Sequence, residues 1–469
     1  GLHPEPSTLP LTVLAHRPGW LQQLRDHFRR PEEAMRADDF EALAQAVFRH
    51  QVASNPAYGA YCRALGRLPE AVDVWRRIPP VPASAFKRLD LFSGLPASSA
   101  KVEGTEAGAM AGTEPEIVFE TSGTRRGREL RGRHPVASLE LYREASMPWF
   151  GRHLVPEDQP LTVLALLPSP EVAPHSSLSR MAGFAVERWG RPRSRFLADP
   201  DAGVDGPSVR EALDEAREEA APVLLLGTAF AWVHWLEWAE AQQYRARLPE
   251  GSRLMETGGF KGRSREIPRD ELYRRLQETL GLPRHRMVNE YGMTELLSQM
   301  YEPVLVAPEA GDEGQRDDRA PTPAQGAALS GSRAHRAPPW LGIRVLDPET
   351  LEPLPPGQVG LLSFMDLANV ASVSAVLTED LGRLDSEGGL HLQGRAPGAE
   401  PRGCSLALEE MLEAQSRGPA RSRWPWPGWP GPEKGFSPDR RRRSRSSWVG
   451  WGSASKIWTI LWSGTPSRP

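Results

Sequence analysis

Hydrophobic and polar positions along the chain follow two periodicities. From Trp20 to Arg67, apolar residues recur at three- and four-residue spacing, which predicts helices. After Glu116, short apolar runs that end at glycine or proline alternate with longer amphipathic stretches. Strands that alternate with helices predict an α/β fold with a mainly parallel sheet.

The pattern also places the individual elements of this fold. Strands are predicted at residues 116–120, 160–168 and 222–227, helices at 137–154, 208–220, 230–246 and 268–281, and a β-rich hairpin segment at 340–367. The apolar stretch 227–239 is compatible with an acyl-chain tunnel and equally with a helix packed on the sheet.

Two segments lack the periodicity of a folded core. Residues 308–338 contain no Phe, Tyr or Trp, and we interpret them as a disordered insert. Residues 416–469 hold seven of the fifteen tryptophans, eleven Lys or Arg and two Asp or Glu, which predicts a disordered basic tail or an out-of-frame segment. The alternative is a segment that binds single-stranded nucleic acid. The expected organisation is one domain over 1–395, a short segment over 396–415, and the tail.

Charge and cysteine content narrow the classes of function. The net charge is −3, and the basic excess of the tail leaves an acidic body, so we expect no nucleic-acid partner. No apolar run approaches the ~20 residues of a membrane helix, and the first residues have no basic signal-peptide region. The only cysteines are Cys62 and Cys404, which excludes a disulfide framework and favours a reducing cytoplasm.

A turn of small hydroxyl residues and glycine follows the predicted strand 116–120. It consists of Thr121, Ser122, Gly123 and Thr124. Such a turn presents backbone N–H groups and hydroxyls, which suit phosphate oxygens. Because similar turns are common in α/β proteins, this turn alone is equally compatible with a solvated loop.

A second candidate segment combines an aromatic residue, a glycine, a hydroxyl and a carboxylate. In "NEYGMTELLSQMYE", Tyr291 could stack on adenine, Thr294 could bind a phosphate and Glu295 could hold Mg²⁺, with Gly292 beside the ring. The alternative is a helix start with a tyrosine in the core.

A third candidate is the aspartate of "VLTEDLGRLDSEGGLHLQGR". Asp380 follows an apolar run, and Arg395 closes the segment. A carboxylate there could accept hydrogen bonds from ribose hydroxyls. The alternative is a hairpin in which the aspartate lies in the turn.

In this order, the three segments resemble the motifs of the adenylate-forming superfamily. "TSGT" resembles its phosphate loop, "YGMTE" its adenine and magnesium motif, and "TED" its ribose-binding motif. "ETGGFKG" lies where the superfamily has a glycine pair beside adenine, here Gly258 and Gly259. One departure is that Arg125 and Arg126 follow "TSGT" where the superfamily has threonine and glycine, which makes the loop more cationic.

Longer motifs narrow the resemblance to the acyl-protein synthetases of bacterial bioluminescence, over about residues 75–413. They are "PVPASAFKRLDLF", "ETSGT", "ETGGFKGRSRE", "NEYGMTELLSQMYE", "DLANVASVSAVLTEDLG" and "GRAPGAEPRGCSLALEEML". The resemblance implies an acyl-CoA-synthetase-like α/β domain with a helical N-terminal part, a truncated C-terminal lid and a disordered tail.

The resemblance also implies a function. It implies ATP and Mg²⁺, a fatty acid activated as its acyl-adenylate by Thr294 and Glu295, nucleotide contacts from Arg395, transfer to Cys404 as a thioester, and delivery to a reductase partner. Arg402 and a helix predicted to begin at Leu406 would lower the pKa of the Cys404 thiol. The alternatives are an acyl- or aryl-CoA ligase of the phenylacetate type, or a degenerate subunit that binds an adenylate without catalysis.

Overall fold

The computed structural model describes residues 18–96, 114–121, 131–258, 267–306, 333–395 and 402–416, all within the unit Gly1–Pro419. The helices are α1 (Gly19–Arg29), α2 (Ala37–Ser54), α3 (Pro56–Ala64), α4 (Leu139–Leu154), α5 (Ser177–Trp189), α6 (Gly206–Glu218), α7 (Ala229–Ala241), α8 (Arg269–Leu280) and α9 (Arg402–Ser416). The strands are β1 (Val81–Pro82), β2 (Ile117–Glu120), β3 (Arg133–Val136), β4 (Thr162–Leu166), β5 (Arg195–Phe196), β6 (Ala198–Asp199), β7 (Gly203–Val204), β8 (Val223–Thr228), β9 (Arg253–Thr257), β10 (Met287–Tyr291), β11 (Met300–Tyr301), β12 (Leu341–Leu346), β13 (Gly360–Asp366), β14 (Ala375–Leu384) and β15 (Leu390–Arg395).

The larger sheet confirms the predicted parallel architecture. Its six strands have the order β11–β10–β9–β8–β4–β5, and all neighbours are parallel except β11, which runs antiparallel to β10. Helices connect successive parallel strands, as parallel pairing requires.

Both faces of this sheet are buried, and alternate residues of each strand enter different cores. In β4, Val163 and Ala165 lie in a core shared with α4 and α5. Leu164 and Leu166 lie in a second core shared with α6, α7 and α8. This is why β4 and β8 appear in the sequence as continuous apolar runs instead of an alternating pattern.

Helix α7 packs on the sheet, which is the second of the two readings of residues 227–239. Trp232 and Trp235 are buried in the second core, whereas His234 is exposed. Thr228 caps the helix, since its Oγ1 accepts a hydrogen bond from the N–H of Ala231 at 3.1 Å.

A second sheet lies beside the N-terminal helices. Its order is β1–β14–β13–β12, with β15 paired to β14, and the β12–β13 hairpin confirms the prediction for residues 340–367. The rings of Phe28 in α1 and Trp340 have centroids 4.9 Å apart, so the predicted helical N-terminal part joins the same core as this sheet.

The sequence did not predict helix α5. Gly183 near its middle lowers the intrinsic helix propensity. The helix forms because Ser176 caps it, accepting from the N–H of Ser179 at 3.1 Å, and because Met181 and Phe184 are buried in the first core.

Two predicted boundaries are wrong. Helix α9 begins at Arg402, not Leu406, since the weak helix formers at its start hid the first turn. Residues 333–338 do not belong to a disordered insert: Arg333 pairs with the buried Glu302 at 2.6 Å, and His335 bridges to Leu390. Residues 307–332 and 417–469, which include most of the predicted insert and the tail, lie outside the described residues.

Candidate active site

Strands β9 and β10 bring two of the sequence motifs to one edge of the parallel sheet. They pair with Thr257 opposite Glu290 and end at Thr257 and Tyr291. Gly258 and Gly292 therefore leave the sheet at the same edge. In open α/β sheets, ligands bind outside the carboxyl ends of the strands, which is this edge.

Local geometry favours glycine at both positions, through the backbone conformation at Gly258 and through side-chain packing at Gly292. Gly258 has a φ of +78°, which a residue with a side chain rarely adopts. A Cβ on Gly292 would collide with Oε1 of Glu290, whose other oxygen accepts a hydrogen bond from Thr257 Oγ1. The predicted Gly259 lies outside the described residues.

A network of buried charged and polar side chains stabilises the pairing of β9 and β10. Arg269 and Arg333 each donate to the fully buried carboxylate of Glu302 at 2.6 Å. Asn289 donates to Glu256 Oε1, also at 2.6 Å. Burial raises the pKa of Glu256 despite the nearby Arg269 cation.

Tyr291 and Asp380, which come from different sheets, are in direct contact. The hydroxyl of Tyr291 donates to Oδ2 of Asp380 at 2.7 Å, and the tyrosine ring lies 5.8 Å from that of Phe364. Burial raises the pKa of Tyr291, and the charge of Asp380 raises it further, so the phenol stays protonated as a donor. The segment around Tyr291 is the end of β10, not the start of a helix.

Asp380 lies within β14 and not in the turn of the hairpin. It is the cross-strand partner of Arg395, whose Nε is 3.6 Å from Asp380 Oδ1. The guanidinium is 62% exposed, so this ion pair is weak. The turn aspartate is Asp385, which accepts from the N–H groups of Glu387 and Gly389.

Thr121 and Gly132 close the base of the segment that carries the predicted phosphate loop. The N–H of Thr121 donates to the carbonyl of Gly132, and the N–H of Gly132 donates to Thr121 Oγ1, both at 2.9 Å. A Cβ on Gly132 would lie 3.4 Å from Oε1 of Glu295. The carboxylate of Glu295 therefore lies beside Thr121 and Gly132, where the two ends of this segment meet.

Two buried side chains that sequence reasoning missed hold the backbone of Thr294 and Glu295. Nδ1 of His134 donates to the carbonyl of Thr294 at 2.6 Å. Nδ2 of Asn369 donates to the carbonyl of Glu295 at 2.8 Å. His134 lies in β3, so the β2–β3 hairpin is tied directly to the "YGMTE" segment.

Asp366 holds the next turn of the same segment. Its Oδ2 accepts from the N–H groups of Leu297 and Ser298 at 2.9 and 3.0 Å, and its Oδ1 accepts from the hydroxyl of Ser298 and the N–H of Ala368. Burial raises the pKa of Asp366, although these donors act in the opposite direction. Asp366 and Asn369 both belong to the "DLANVASVSAV" motif, which was a sequence signal without an assigned role.

The structure thus brings together most of the predicted nucleotide residues that it describes. Tyr291 contacts Asp380, Asp380 lies opposite Arg395, and Glu295 lies beside Thr121 and Gly132. The predicted residues Ser122, Gly123 and Thr124, together with Arg125 and Arg126, lie outside the described residues.

The backbone of Cys404 lies in the first turn of α9. Helix α9 packs against α3, the helix that contains Cys62. Cys62 is fully buried, and burial raises the pKa of its thiol to about 12, so it is neutral and shielded.

Glu295 is the described residue that the sequence predicts as a Mg²⁺ ligand. Within the described ranges, no three His, Cys, Asp or Glu side chains cluster as a preformed metal site. Glu295 is a single carboxylate, only 6% exposed. Mg²⁺ is commonly bound by one or two carboxylates together with substrate phosphates, and Glu295 would meet that need.

Among the helices that the structure describes, none has the length and apolar character to span a membrane.

The sequence of this chain is similar to those of known acyl-protein synthetases in its C-terminal part. Residues 327–413 match the family model "Acyl-protein synthetase, LuxE". The chain is similar to the long-chain-fatty-acid–luciferin-component ligase of Vibrio harveyi, 36% identical over 87 residues, which is 17% of this chain and 23% of that protein. It is 49% identical over 45 residues to the ligase of the same name from Aliivibrio fischeri, covering 10% of this chain and 12% of that one. The chain thus aligns with less than a quarter of the length of either protein.

Solved structures match over more of the chain and show its fold. A 2-hydroxyisobutyryl-CoA ligase in an open conformation, in complex with 2-HIB-AMP and CoA, superposes with a TM-score of 0.53 at 14% identity over 77% of this chain and 71% of that one. The same ligase in its postadenylation state with 2-HIB-AMP gives 0.52 at 14% identity over 78% and 70%. The family-model match confirms the resemblance to acyl-protein synthetases over residues 327–413, and the structural matches show that the chain shares the fold of the 2-hydroxyisobutyryl-CoA ligase.

Proposed function

We propose that this chain uses ATP to convert a long-chain fatty acid into its acyl-adenylate and then accepts the acyl group on Cys404 as a thioester. The observation that carries this proposal is the hydrogen bond between Tyr291 and Asp380, with Glu295 beside Gly132. It joins motifs far apart in the sequence at the ligand-binding edge of an adenylate-forming fold. The family match supports it too, because it includes Asp380, Arg395 and Cys404.

The first step must bring two anions together. A carboxylate oxygen of the fatty acid attacks the α-phosphorus of ATP, and the bond to pyrophosphate breaks. Hydroxyl and N–H groups of Ser122, Thr124 and Thr294 would donate hydrogen bonds to the phosphate oxygens as charge develops there. Mg²⁺ held by Glu295 would supply further neutralising charge.

Tyr291 and Asp380 would orient the nucleoside. The tyrosine ring can stack on adenine while its hydroxyl keeps the Asp380 carboxylate turned toward the edge of the sheet. That carboxylate can then accept from ribose hydroxyls, with Arg395 beside it. Gly258 and Gly259 would allow the backbone to approach adenine closely. A fixed nucleoside aligns the α-phosphorus for in-line attack.

The second step moves the acyl group to sulfur. The thiolate of Cys404 attacks the acyl carbonyl, the bond to AMP breaks, and AMP leaves. The first turn of a helix lowers the pKa of a thiol there, which favours the reactive thiolate. Cys62, buried and with its pKa raised to about 12, cannot take this role. The acyl-protein would then deliver its acyl group to a reductase partner.

ATP–pyrophosphate exchange with fatty acids of graded chain length tests the first step, and mass spectrometry of the intact protein tests the second. The proposal expects exchange that requires a fatty acid, followed by a gain of one acyl mass on the protein. Activity that requires CoA, without a protein-bound acyl group, would instead identify an acyl- or aryl-CoA ligase. No exchange with any acid would identify a subunit that binds an adenylate without catalysis.

A further inference from the structure

His134 and Asn369 have a second feature in common besides their hydrogen bonds to consecutive carbonyls of the "YGMTE" segment. Each has one further polar atom, Nε2 of His134 and Oδ1 of Asn369. Both atoms are buried, and among the described residues neither has a hydrogen-bond partner. The residues themselves are 1% and 0% exposed, so bulk water does not compensate. A buried polar atom without a partner is destabilising, because it has lost its hydrogen bond to water and gained none in return.

The chemistry of both atoms is determined by what their side chains already donate. The carbonyl of Thr294 can only accept, so Nδ1 of His134 carries the hydrogen, and in the neutral ring Nε2 is an acceptor. Nδ2 of Asn369 donates to the carbonyls of Glu295 and Val373, at 2.8 and 3.3 Å, which leaves Oδ1 as the acceptor. Two acceptors cannot bond to each other, whereas one water molecule has two hydrogens and can donate to both.

The two side chains line the same small cavity. His134 and Asn369 are both among the residues that border it, together with Ser138, Leu297 and Ala368. The space open to the centre of a water-sized sphere is about 10 Å³, which is close to the minimum that one water molecule needs. The hydroxyl of Ser138 already accepts from the N–H of Leu141, so it caps α4 in addition to bordering the cavity.

We propose that one buried water molecule donates to His134 Nε2 and Asn369 Oδ1, and that the two side chains, joined by this water, position Thr294 and Glu295. His134, Asn369 and this water would then connect β3, the "YGMTE" segment and the segment after β13. His134 and Asn369 are positioning residues, because they act on the carboxylate of Glu295 through its own backbone. Their catalytic effect rests on the proposed function, whereas the water and the histidine tautomer do not.

Substitutions of His134 can distinguish the role of Nδ1 from the role of Nε2. The amide of asparagine can place an N–H where Nδ1 lies, whereas the amide of glutamine reaches the position of Nε2. In full-length protein, we expect His134→Ala and His134→Gln to lower kcat/KM for MgATP in pyrophosphate exchange on the order of 10–100-fold, as loss of an outer partner of a metal ligand does. We expect the Mg²⁺ concentration for half-maximal exchange to rise in parallel, and His134→Asn to restore most of both.

His153 provides the matched control. It is also buried, and its Nδ1 likewise donates to a carbonyl, that of Trp149 at 2.9 Å, but its ring packs on Tyr301 and does not hold the backbone of Thr294 or Glu295. His153→Ala should lower the free energy of unfolding and leave the Mg²⁺ dependence of exchange unchanged. If the His134 variants change stability alone, or if glutamine restores activity and asparagine does not, the positioning role is wrong.

The water and the tautomer are tested in the free protein, independently of activity. A high-resolution crystal structure should show one ordered water within hydrogen-bond distance of His134 Nε2 and Asn369 Oδ1. Long-range ¹H–¹⁵N spectra should show the Nδ1–H tautomer of His134. A dry cavity or the Nε2–H tautomer would overturn the proposal even in an active protein. An inactive wild-type protein in which both are observed would instead overturn the proposed function.

Discussion

The hydroxyl of Tyr291 lies 2.7 Å from Oδ2 of Asp380 and donates a hydrogen bond to it. The two residues are in strands of different sheets, so this bond joins the parallel sheet to the second sheet at the carboxyl end of β10. Because of this bond, Tyr291, the proposed adenine contact, and Asp380, the proposed ribose contact, hold each other in position.

Asp380→Ala should weaken ATP binding by about 1–3 kcal/mol, because it removes an acceptor for ribose hydroxyls and for Tyr291. Tyr291→Phe keeps the ring and should lose only about 1 kcal/mol. Titration calorimetry with ATP measures both variants. If the tyrosine hydroxyl acts by orienting Asp380, Tyr291→Phe should have no further effect in the Asp380→Ala background. An unchanged dissociation constant for Asp380→Ala would assign this residue to the hairpin alone.

Glu295→Gln should abolish pyrophosphate exchange while leaving the protein folded. Replacing one carboxylate oxygen of Glu295 by an NH₂ group keeps the shape of the side chain but removes the negative charge that would hold Mg²⁺. Circular dichroism and thermal unfolding check the fold, and exchange assays across Mg²⁺ concentrations check the activity. Exchange close to that of wild type would contradict a metal-binding role for Glu295.

Asp366→Asn should lower the free energy of unfolding by about 1–3 kcal/mol. Both carboxylate oxygens accept hydrogen bonds from backbone N–H groups, so an amide NH₂ in either position leaves at least one of these donors facing another donor. Urea unfolding measures this loss.

Asp73→Asn is the control for Asp366. The Asp73 side chain is 74% exposed, and its ion pair with Arg77 is at the surface. Its substitution should change the free energy of unfolding by less than about 0.5 kcal/mol. Equal effects of the two substitutions would show that the hydrogen bonds of Asp366 do not hold the loop.

Cys404→Ser should still form acyl-adenylate but lose the acyl group that hydroxylamine releases. The chemistry at phosphorus does not involve sulfur, and a serine hydroxyl offers almost no anion at neutral pH. Incubation with ATP, Mg²⁺ and a fatty acid, followed by intact-mass measurement, checks the label. A labile acyl group retained on Cys404→Ser would exclude this residue as the acceptor.

Cys62→Ala is the matched control for the other thiol. Cys62 is 0% exposed, and burial raises its pKa to about 12, so we expect no alkylation by iodoacetamide at pH 8 in the native protein. Cys62→Ala should keep both exchange and the acyl label. Loss of the label in this variant, with the fold intact, would reverse the assignment of the two cysteines.

The amino-acid sequence by itself determined the α/β class of the domain and the places of β4, β8, α4, α6, α7 and α8, but not those of β5, β9, β10 or α5. Buried strands such as β4 and β8 need continuous apolar runs, and amphipathic helices need a three-to-four-residue repeat, so both leave a local signal. The sequence motifs also identified Tyr291, Glu295 and Asp380 as candidates, because an aromatic ring and carboxylates are the residue types that nucleotide and Mg²⁺ sites require.

Only the tertiary structure decided which distant residues meet. The hydrogen bonds from His134 to Thr294 and from Asn369 to Glu295 depend on the packing of β3 and the segment after β13 around one loop. Helix α5 was also invisible locally, since burial and capping outweigh weak helix propensity there, and the first turn of α9 left no local signal either. Periodicity reports the environment along one element, whereas contacts between elements depend on how the whole chain packs.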